Sequence, residues 1–306
     1  MKLYPIETGN LRLDGGAMFG VVPKVLWQKT YPADENNLCN WAMRCLLVVD
    51  GDRRVLIDNG IGSKQDEKWL AHYYLNGDDS LEKSLNACGF KPEDITDMII
   101  THMHFDHCGG SVKWNTDKTG YELAFPNATY WTSKGQFEWA TNPNRREEAS
   151  YLKENILPIY ENGKLKLIEE EGEMLPNISA KLYHGHTESQ LIPHINCNGT
   201  TVVYMADLMP SASHIPMPWI MAYDTRPLDT LHDKERFYSE AVKNKYVLFF
   251  EHDLYNEACT LHETLKGVRV EKAGKLAEMG WNGFVEQGVP GFFESWARAF
   301  ANPMQV

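Results

Sequence analysis

The segment 101–107 reads THMHFDH, so that three histidines and one aspartate fall within six positions. It follows a short apolar stretch that is typical of a buried β-strand. Neutral imidazole and carboxylate groups are ligands that zinc and related ions prefer. Because side chains alternate along an extended chain, His102 and His104 lie on the same side and can bind one ion. Asp106 and His107 then lie on the following turn, where they can face a second ion.

Ligand residues also follow three later strand-like runs, and a metal site needs them because one loop supplies too few donors. The runs are residues 181–183 before His184 and His186, residues 201–206 before Asp207, and residues 246–251 before His252. The alternative is a solvated polar loop whose histidines occur by chance. Four strand ends that all finish in ligand chemistry favour the metal site.

The order of these residues resembles the metallo-β-lactamase superfamily. The pattern of that family is H-x-H-x-D-H, then the histidine of a G-H-T sequence, then an aspartate, then a histidine. Residues 185–187 read GHT and match the second element, while Asp207 and His252 match the third and fourth. Asp58 resembles the early structural aspartate of the family. His184 competes with His186 as a ligand, and the G-H-T context favours His186.

The resemblance extends over residues 40–255 and implies an α/β fold, an αββα sandwich with a dinuclear metal site at one edge. The residues carried over from the family are His102, His104 and His186 for one ion, Asp106, His107 and His252 for the other, and Asp207 as the bridge between the two. We expect two divalent ions and favour zinc, although iron, manganese and cobalt accept such ligands.

Length and charge restrict the partners. The chain has 306 residues and carries 42 acidic against 30 lysine and arginine residues, a net charge of −12. This balance argues against nucleic acid or an anionic membrane as a partner, because phosphate binding needs basic clusters. Strand-like and helical segments alternate without a linker, which favours a single domain over residues 1–306, built as two similar halves.

The six cysteines form no C-x-x-C pair, which argues against a zinc ribbon or a thioredoxin-like redox pair. We expect buried free thiols in a reducing compartment, although Cys108 adjoins the histidine motif and is a possible ligand. The N-terminus has no apolar core of signal-peptide length, and no apolar run reaches the ~18 residues of a membrane span. A cytoplasmic protein is therefore expected, and a homodimer is plausible from the apolar N-terminal segment.

Local patterns predict the main elements. Strands are expected at residues 44–50 and 53–58 around an Asp-Gly turn, and at residues 128–132, 164–168 and 178–183. Residues 66–90 are expected to be mainly helical, with a second part that starts at residues 80–83. Further helices are expected at 145–160 with a break at Pro158, at 229–243 and at 293–300. Ser133 is placed to cap the helix that follows the third strand.

Two segments resemble a substrate pocket more than a scaffold. Residues 14–23 contain three glycines, which favour neither helix nor strand, and residues 209–223 are rich in methionine and proline. Apolar, mobile side chains of this kind can form the wall of a pocket, and ordinary core packing is the alternative. The candidate substrate-binding residues are Met18, Phe19, Trp27, His214, Trp219 and Tyr223.

A site with two metal ions favours hydrolysis. A water molecule between two ions provides hydroxide near neutral pH, and that hydroxide attacks a carbonyl or phosphoryl centre. Asp106 is the candidate catalytic residue, because its carboxylate can pass a proton to the leaving group. The sequence contains no G-x-S-x-G elbow, so no serine nucleophile is indicated.

The N-terminal DGGAMFG sequence, the apolar pocket and the chain length resemble the N-acyl-homoserine lactonase and organophosphate hydrolase branch. The expected substrate is an acylated lactone, as in quorum quenching, with its acyl chain against Met18, Phe19, Trp27 and Trp219. Many such lactonases have a tyrosine shortly after the bridging aspartate, but residues 208–211 read LMPS. Tyr223 or His214 is then the expected substitute. Alternatives are a phosphotriester hydrolase, a glyoxalase-type thioesterase and, less favoured, a non-hydrolytic metal-binding protein.

Overall fold

The computed structural model describes residues 1–279, and two β-sheets form the centre of the fold. The first sheet has six strands in the order β1-β2-β3-β4-β7-β8. Their bounds are β1 Lys2–Asp14, β2 Leu38–Asp50, β3 Arg53–Ile57, β4 Asp97–Ile99, β7 Thr129–Ser133 and β8 Leu165–Ile168. Strands β1 to β3 pair antiparallel, and β3, β4, β7 and β8 pair in parallel.

The second sheet has seven strands in the order β15-β14-β13-β12-β11-β10-β9. Their bounds are β9 Gly172–Leu175, β10 Ile178–Tyr183, β11 Gln190–Cys197, β12 Thr200–Tyr204, β13 Val247–Phe249, β14 Ala258–Thr264 and β15 Gly267–Gly274. All neighbours pair antiparallel except β12 and β13, which are parallel. A separate hairpin joins β5 Val112–Trp114 to β6 Tyr121–Leu123.

Alternation along β2 assigns its side chains to two different cores. Leu46 and Val48 lie in the core between the sheets, together with Ile178 and Leu191 of the second sheet. Their neighbour Leu47 points the other way, into a second core that includes Leu85, Ala140 and Ile156 from helices. The period of two in the sequence therefore places one strand between a sheet and a helical layer.

Helices cover the outer faces of both sheets. Their bounds are α1 Gly15–Phe19, α2 Lys24–Trp27, α3 Glu67–Leu70, α4 Leu81–Ala87, α5 Phe105–Cys108, α6 Lys134–Thr141, α7 Lys153–Glu161 and α8 Pro227–Ala241. On α8, Phe237 is buried with its ring 6.3 Å from that of His194 on β11. The layers are helix, sheet, sheet and helix, which confirms the predicted αββα sandwich.

Several predicted elements match the structure. The strands at 44–50, 53–58, 128–132, 164–168 and 178–183 are confirmed, and so is the helix at 229–243. Ser133 caps α6 as predicted, because its side chain accepts a hydrogen bond of 3.0 Å from the backbone N–H of Gln136. The helix expected at 293–300 and the end of the single domain expected over 1–306 lie outside the described residues.

Two helical predictions are wrong in part. The second part of the segment 66–90 starts as predicted, with Ser80 as the N-cap of α4, but residues 74–80 before it are not helical. The segment 145–160 forms α7 only from residue 153, and Pro158 lies inside that helix instead of breaking it. Before α7, the side chain of Asn144 accepts from the backbone N–H groups of Arg146 and Glu147. This turn competes with a helix for the same donors.

The glycine-rich segment at the N-terminus also differs from expectation, because residues 15–19 form the short helix α1. Asp14 caps it, accepting a hydrogen bond of 2.9 Å from the backbone N–H of Ala17. A Cβ atom on Gly15 would lie 2.3 Å from the Trp27 ring, so glycine is needed there for close packing. Within residues 1–279, no helix has the length and apolar character needed to cross a membrane.

Candidate metal centre

The candidate ligands all follow strands at one edge of the sandwich. The H-x-H-x-D-H segment follows β4, and α5 begins directly after His104. His186 follows β10, while Asp207 and His252 follow the parallel neighbours β12 and β13. Because parallel strands deliver their carboxyl ends to the same edge, these last two residues are brought close together.

A strained turn aims Asp207 into the site. Ala206 has a φ of 40°, in the left-handed region that residues with a Cβ atom rarely adopt. Around this turn, Met205 donates a hydrogen bond to Phe249 of β13 and Leu208 donates one to Met205. Such conformations persist only where the surrounding structure enforces them, and they concentrate at functional sites.

The first group of candidate ligands contains His102, His104, His186 and Asp207, whose ligand atoms lie within 4.8 Å of one another. Nε2 of His186 lies 3.3 Å from Nδ1 of His104 and 3.1 Å from Oδ2 of Asp207. Nε2 of His102 lies 3.8 Å from the same carboxylate oxygen. All four residues are buried.

The second group contains Asp106, His107 and His252, with ligand atoms again within 4.8 Å of one another. The Nε2 atoms of His107 and His252 are 3.2 Å apart, and Oδ2 of Asp106 lies 3.8 Å from each of them. Oδ1 of Asp207 lies 3.2 Å from Nε2 of His252. Oδ2 of Asp207 also lies 3.6 Å from Nε2 of His107, so this carboxylate contacts both groups.

The residues present fit divalent metal ions. Nε2 of His102 and Oδ1 of Asp207 are buried without a hydrogen-bond partner, which is costly unless a cation lies between such atoms. Two pairs of imidazole nitrogens also face each other, at 3.2 Å between His107 and His252 and at 3.3 Å between His104 and His186. Such close pairs are likewise costly unless a cation lies between them. The donor set of nitrogen and carboxylate oxygen, without a thiolate, is typical of catalytic metal sites.

Further hydrogen bonds fix which nitrogen of each histidine faces the site. Nδ1 of His252 lies 2.8 Å from the carbonyl oxygen of Ala42, and Nδ1 of His186 lies 3.1 Å from Oδ1 of Asp224. These oxygens accept, so each Nδ1 carries the proton and Nε2 is left free to bind an ion. Asp224 has no signal in the sequence pattern and was missed.

Asp58 performs this role for His107. Its Oδ2 lies 3.1 Å from Nδ1 of His107 and accepts a hydrogen bond of 2.7 Å from Oγ1 of Thr101. Its Oδ1 accepts one of 2.8 Å from the backbone N–H of Thr101. A carboxylate held at both oxygens keeps the histidine ring in one orientation.

Glu251 is a second carboxyl group at the same ring, and sequence reasoning missed it. Its Oε2 lies 2.9 Å from Nδ1 of His107, and its side chain is completely buried. Burial raises the pKa of Glu251 to about 8, since the charge of His107 offsets only part of that effect. The sequence feature that could have identified Glu251 is its position directly between a buried strand and the candidate ligand His252.

Glu147 was also missed, and it lies beside His104 at the cavity wall. Its Oε1 is 3.4 Å from Nε2 of His104, and its Oε2 accepts hydrogen bonds from Trp139 at 2.7 Å and Asn144 at 2.5 Å. Burial acts to raise the pKa of Glu147, but His104, Thr187 and Trp139 lower it to about 2. A buried, ionised carboxylate thus faces the outer nitrogen of a candidate ligand.

The candidate ligands also carry complementary charge. Burial acts to raise the pKa of Asp207, but His186, His252 and His107 hold it well below its usual value. Burial acts to lower the pKa of His252, and Asp207 more than compensates, which raises it to about 9. Burial keeps the pKa of His102 well below its usual value. The group is therefore built around an ionised Asp207.

A cavity of about 390 Å³ opens onto both ligand groups. Its polar floor includes Asp106, Asp207 and His252. Its apolar wall consists of Leu13, Met18, Tyr73, Phe105, Met221 and Tyr223. Sequence reasoning missed Tyr73 and Phe105, whose rings are 4.6 Å apart. The two residues are distant in sequence and meet only in the folded chain. Phe105 also stands within the polar H-x-H-x-D-H segment, which does not indicate an apolar cavity wall.

Of the six residues predicted to bind substrate, the cavity wall contains Met18 and Tyr223, and the other four need correction. Phe19 and Trp27 are buried and stacked with ring centroids 5.0 Å apart, and Phe19 also stacks on His214 at 4.6 Å. Trp219 packs edge-on against Phe19 at 5.9 Å. These rings pack against one another behind the cavity wall, because stacking buries their apolar faces.

His214 is fixed by two hydrogen bonds that occupy both ring nitrogens. Nε2 lies 2.8 Å from the carbonyl oxygen of Met18, and Nδ1 lies 2.7 Å from Oγ of Ser211. Burial lowers the pKa of His214 to about 3, so the ring is neutral. Tyr223 is 42% exposed and lines the cavity.

The remaining candidates lie outside the ligand groups. Nδ1 of His184 is 2.8 Å from Oε1 of Glu188, and its side chain is 47% exposed. The sulfur of Cys108 is buried and donates to the carbonyl oxygen of Met103. All six cysteines are free thiols, and the structure brings His186 rather than His184 to the site.

The sequence of residues 44–252 matches the metallo-beta-lactamase superfamily. The chain belongs to this superfamily. It is 26% identical over 269 residues to an N-acyl homoserine lactonase of Bacillus cereus, a match that covers 84% of this chain and 94% of that protein.

Solved structures of similar proteins show the same fold. A probable metal-dependent hydrolase from Staphylococcus aureus superposes with a TM-score of 0.81 at 31% identity, covering 89% of this chain and 95% of the other. AidC, a dizinc quorum-quenching lactonase in complex with a product, superposes with a TM-score of 0.72 at 21% identity, covering 88% and 92%. The chain is thus a metallo-hydrolase of this superfamily, with lactonases among its relatives.

Proposed function

We propose that this protein binds two divalent metal ions, zinc in the first instance, and opens the lactone ring of N-acyl-homoserine lactones. The observation that carries the proposal is Asp207, whose carboxylate contacts both ligand groups at the floor of a cavity with an apolar wall. The similarity to N-acyl homoserine lactonases over most of the chain supports the choice of substrate.

The chain holds the ions through seven side chains. His102, His104 and His186 would hold one ion, Asp106, His107 and His252 the other, and Asp207 both. Divalent ions in such a site supply Lewis acidity, which activates water and polarises the carbonyl that is attacked. The buried partners Asp58 and Asp224 keep the ligand histidines oriented while this happens.

Two cavity residues then handle the proton and the substrate oxygens. Asp106 lies at the cavity floor and is suited to carry a proton to the alcohol oxygen released by ring opening. Burial, with a contribution from Asp106, raises the pKa of Tyr223 to about 12, so its phenol stays protonated. It is thus suited to donate a hydrogen bond to the lactone carbonyl.

The acyl chain would lie along the apolar wall formed by Met18, Tyr73, Phe105 and Met221. This assignment replaces the buried Phe19 and Trp27. Each methylene buried contributes roughly 0.8 kcal/mol, so kcat/KM should rise about severalfold per added carbon until the cavity is full.

The test is kcat/KM for homoserine lactones of increasing acyl length, measured beside a paraoxon-type phosphotriester and a glutathione thioester. We expect the lactones to be preferred and longer chains to react faster. Activity confined to the phosphotriester or the thioester would eliminate the lactonase. Equal kcat/KM at all acyl lengths would support lactone hydrolysis but contradict binding of the acyl chain along the apolar wall.

One observation favours a glyoxalase-type thioesterase as the second candidate. Arg146 lies at the cavity wall, where its guanidinium donates to the carbonyl oxygen of Ala222. A fixed cation at the cavity suits the carboxylates of a glutathione-type substrate. Arg146→Met would then reduce kcat/KM for the thioester and leave the value for a neutral lactone unchanged.

A cytoplasmic location and a homodimer remain part of the proposal. The six free cysteines, five of them buried, support a reducing compartment. Exposed apolar residues near the N-terminus, Val21 and Val25, support association of two chains. Fractionation of the source cells and the molar mass in solution test these two expectations.

A further inference from the structure

Lys234, on α8, is a completely buried lysine that belongs to neither ligand group. Its Nζ donates hydrogen bonds to four backbone carbonyl oxygens of one loop. They belong to His214 at 2.7 Å, Pro216 at 3.0 Å, Met217 at 3.2 Å and Trp219 at 3.0 Å. An ammonium group has three N–H donors, so at least two of the four oxygens share one donor.

Four carbonyl oxygens that point at a single position repel one another unless a cation occupies it. Residues 214–219 therefore hold a conformation that is unfavourable without the charge of Lys234. Burial lowers the pKa of Lys234 to about 7, an effect that Asp224 opposes. The carbonyl dipoles also stabilise the charged form, since they present only negative ends to the ammonium group.

The loop continues directly into the cavity wall. Met221, Ala222 and Tyr223 follow it and line the cavity, and the backbone N–H of Ala222 donates to Ala17 of α1. Tyr238, also on α8, donates a hydrogen bond to the carbonyl oxygen of Ile215. The loop is therefore held to α8 by one charged and one neutral donor.

We propose that Lys234 is a positioning residue for substrate selection, whose ammonium group replaces a bound cation and holds residues 214–219 so that Met221 and Tyr223 form the cavity wall. The role in selection rests on the proposed function. The role in holding the loop does not, because it depends only on contacts within the chain.

The ligand groups should survive loss of this contact. Thr225 and Arg226 donate backbone hydrogen bonds to His186 and Gly185, which keep the neighbouring ligand loop in place without Lys234. Removal of the charge is therefore expected to raise KM by roughly tenfold and to change kcat by less than about threefold. The dependence of kcat/KM on acyl length should flatten as well.

The experiment uses the full-length, metal-loaded protein and two variants. Lys234→Ala leaves a space with the shape of n-propylammonium, lined by the four carbonyl oxygens. Lys234→Met keeps the volume and removes the charge. Hydrogen exchange of the amides in residues 214–224 is measured for each, without amine, with n-propylammonium and with 1-propanol. KM is then measured for the substrate of the panel that is turned over. Phe237→Leu, a core change on the same helix, is the control for general destabilisation.

We expect both variants to lose protection in residues 214–224, and n-propylammonium to restore both protection and KM in Lys234→Ala. 1-Propanol should restore neither, and Phe237→Leu should leave the loop protected. Wild-type protection and KM in Lys234→Met would overturn the proposal, as would equal rescue by 1-propanol. If Lys234→Ala folds only when n-propylammonium is present, the proposal stands. If the amine does not restore folding, the proposal fails. If residues 214–224 lose protection as expected but the protein has no lactonase activity, the role of Lys234 in holding the loop stands and the proposed function fails.

Discussion

At the scale of single residues, Asp207 is the position on which the site depends most. Its two oxygens lie 3.1 Å from Nε2 of His186 and 3.2 Å from Nε2 of His252, which are ligands of different groups. A strained Ala206 turns it inward. A carboxylate shared in this way makes the two groups interdependent, so a change there should disable both.

The first prediction is that Asp207→Ala reduces bound metal below one ion per chain and lowers kcat/KM by about a thousandfold or more. Elemental analysis of dialysed protein and steady-state kinetics measure the two effects. His184→Ala is the matched control, because His184 is two residues from a ligand but lies outside the groups. A variant of Asp207 that retains two ions would show that the carboxylate is not the bridge.

At the scale of elements, the loop that carries His186 is pressed against α8. A Cβ atom on Gly185 would lie 2.3 Å from the backbone nitrogen of Thr230. The carboxylate of Asp233 accepts hydrogen bonds of 2.8 Å from the backbone N–H groups of His184 and Gly185. The glycine of the G-H-T sequence is therefore required by the approach of a helix.

The second prediction is that Gly185→Ala lowers the free energy of unfolding by about 1–3 kcal/mol, because the backbone of α8 must shift. It should also weaken metal binding through His186. Thermal unfolding of metal-loaded protein is the measurement, and Gly120→Ala is the control, since a Cβ there meets its nearest atom at 3.7 Å. Equal melting temperatures for the two variants would contradict the predicted clash.

The elements that were predicted correctly have strong local signals. Alternation in residues 178–183 indicates a strand, and the Asp-Gly turn at residues 50–51 indicates a hairpin between two strands. The failures depend on contacts that are distant in sequence. The turn at Asn144 replaces a helix because Glu147 is held by Trp139 and lies beside His104.

The candidate site divides in the same way. The ligands could be predicted because they follow strands in a fixed order, and their spacing can be recognised in the sequence without knowledge of the fold. The cavity wall could not, because Tyr73 and Phe105 meet only through tertiary packing. Phe19 and Trp27 have the composition of a pocket wall, yet they stack against each other behind it.

At the scale of the whole molecule, acid should weaken the fold through His194, which belongs to neither ligand group. It is buried between the rings of Phe237 and Tyr246, at 6.3 and 5.7 Å. Burial lowers the pKa of His194 to about 4, from 6.5 for an exposed histidine. The unfolded chain therefore binds more protons than the folded protein between these pH values.

The third prediction follows from that sign. Stability due to neutral His194 is fully present above pH 6.5 and is lost as the pH falls towards 4, by about 2–3 kcal/mol in all. His194→Asn should remove this part of the pH dependence. Urea unfolding between pH 7 and pH 4 is the measurement, with the exposed His262→Asn as the control. An unchanged slope in His194→Asn would contradict the assignment.

The fourth prediction concerns metal removal. Without ions, Nε2 of His102 and Oδ1 of Asp207 are left buried and unpartnered, and the ligand histidines face one another. Treatment with a chelator should therefore lower the melting temperature, and added zinc should restore it, with a gain that grows as the logarithm of the zinc concentration above Kd. Calorimetry measures both changes. A melting temperature that is the same with and without chelator would show that the ligand groups contribute nothing to the fold.

The position of the ligands has a further consequence for the mechanical connection between the two sheets. Residues 102–107 follow a strand of the first sheet, whereas His186, Asp207 and His252 follow strands of the second, and His107 and His252 are 145 positions apart. Ions bound between them would act as a cross-link that closes a very long loop, as a disulfide does. Cross-links of this length remove much of the freedom of the unfolded chain. The metal content would then set how tightly the halves of the sandwich hold together, as well as whether the enzyme is active.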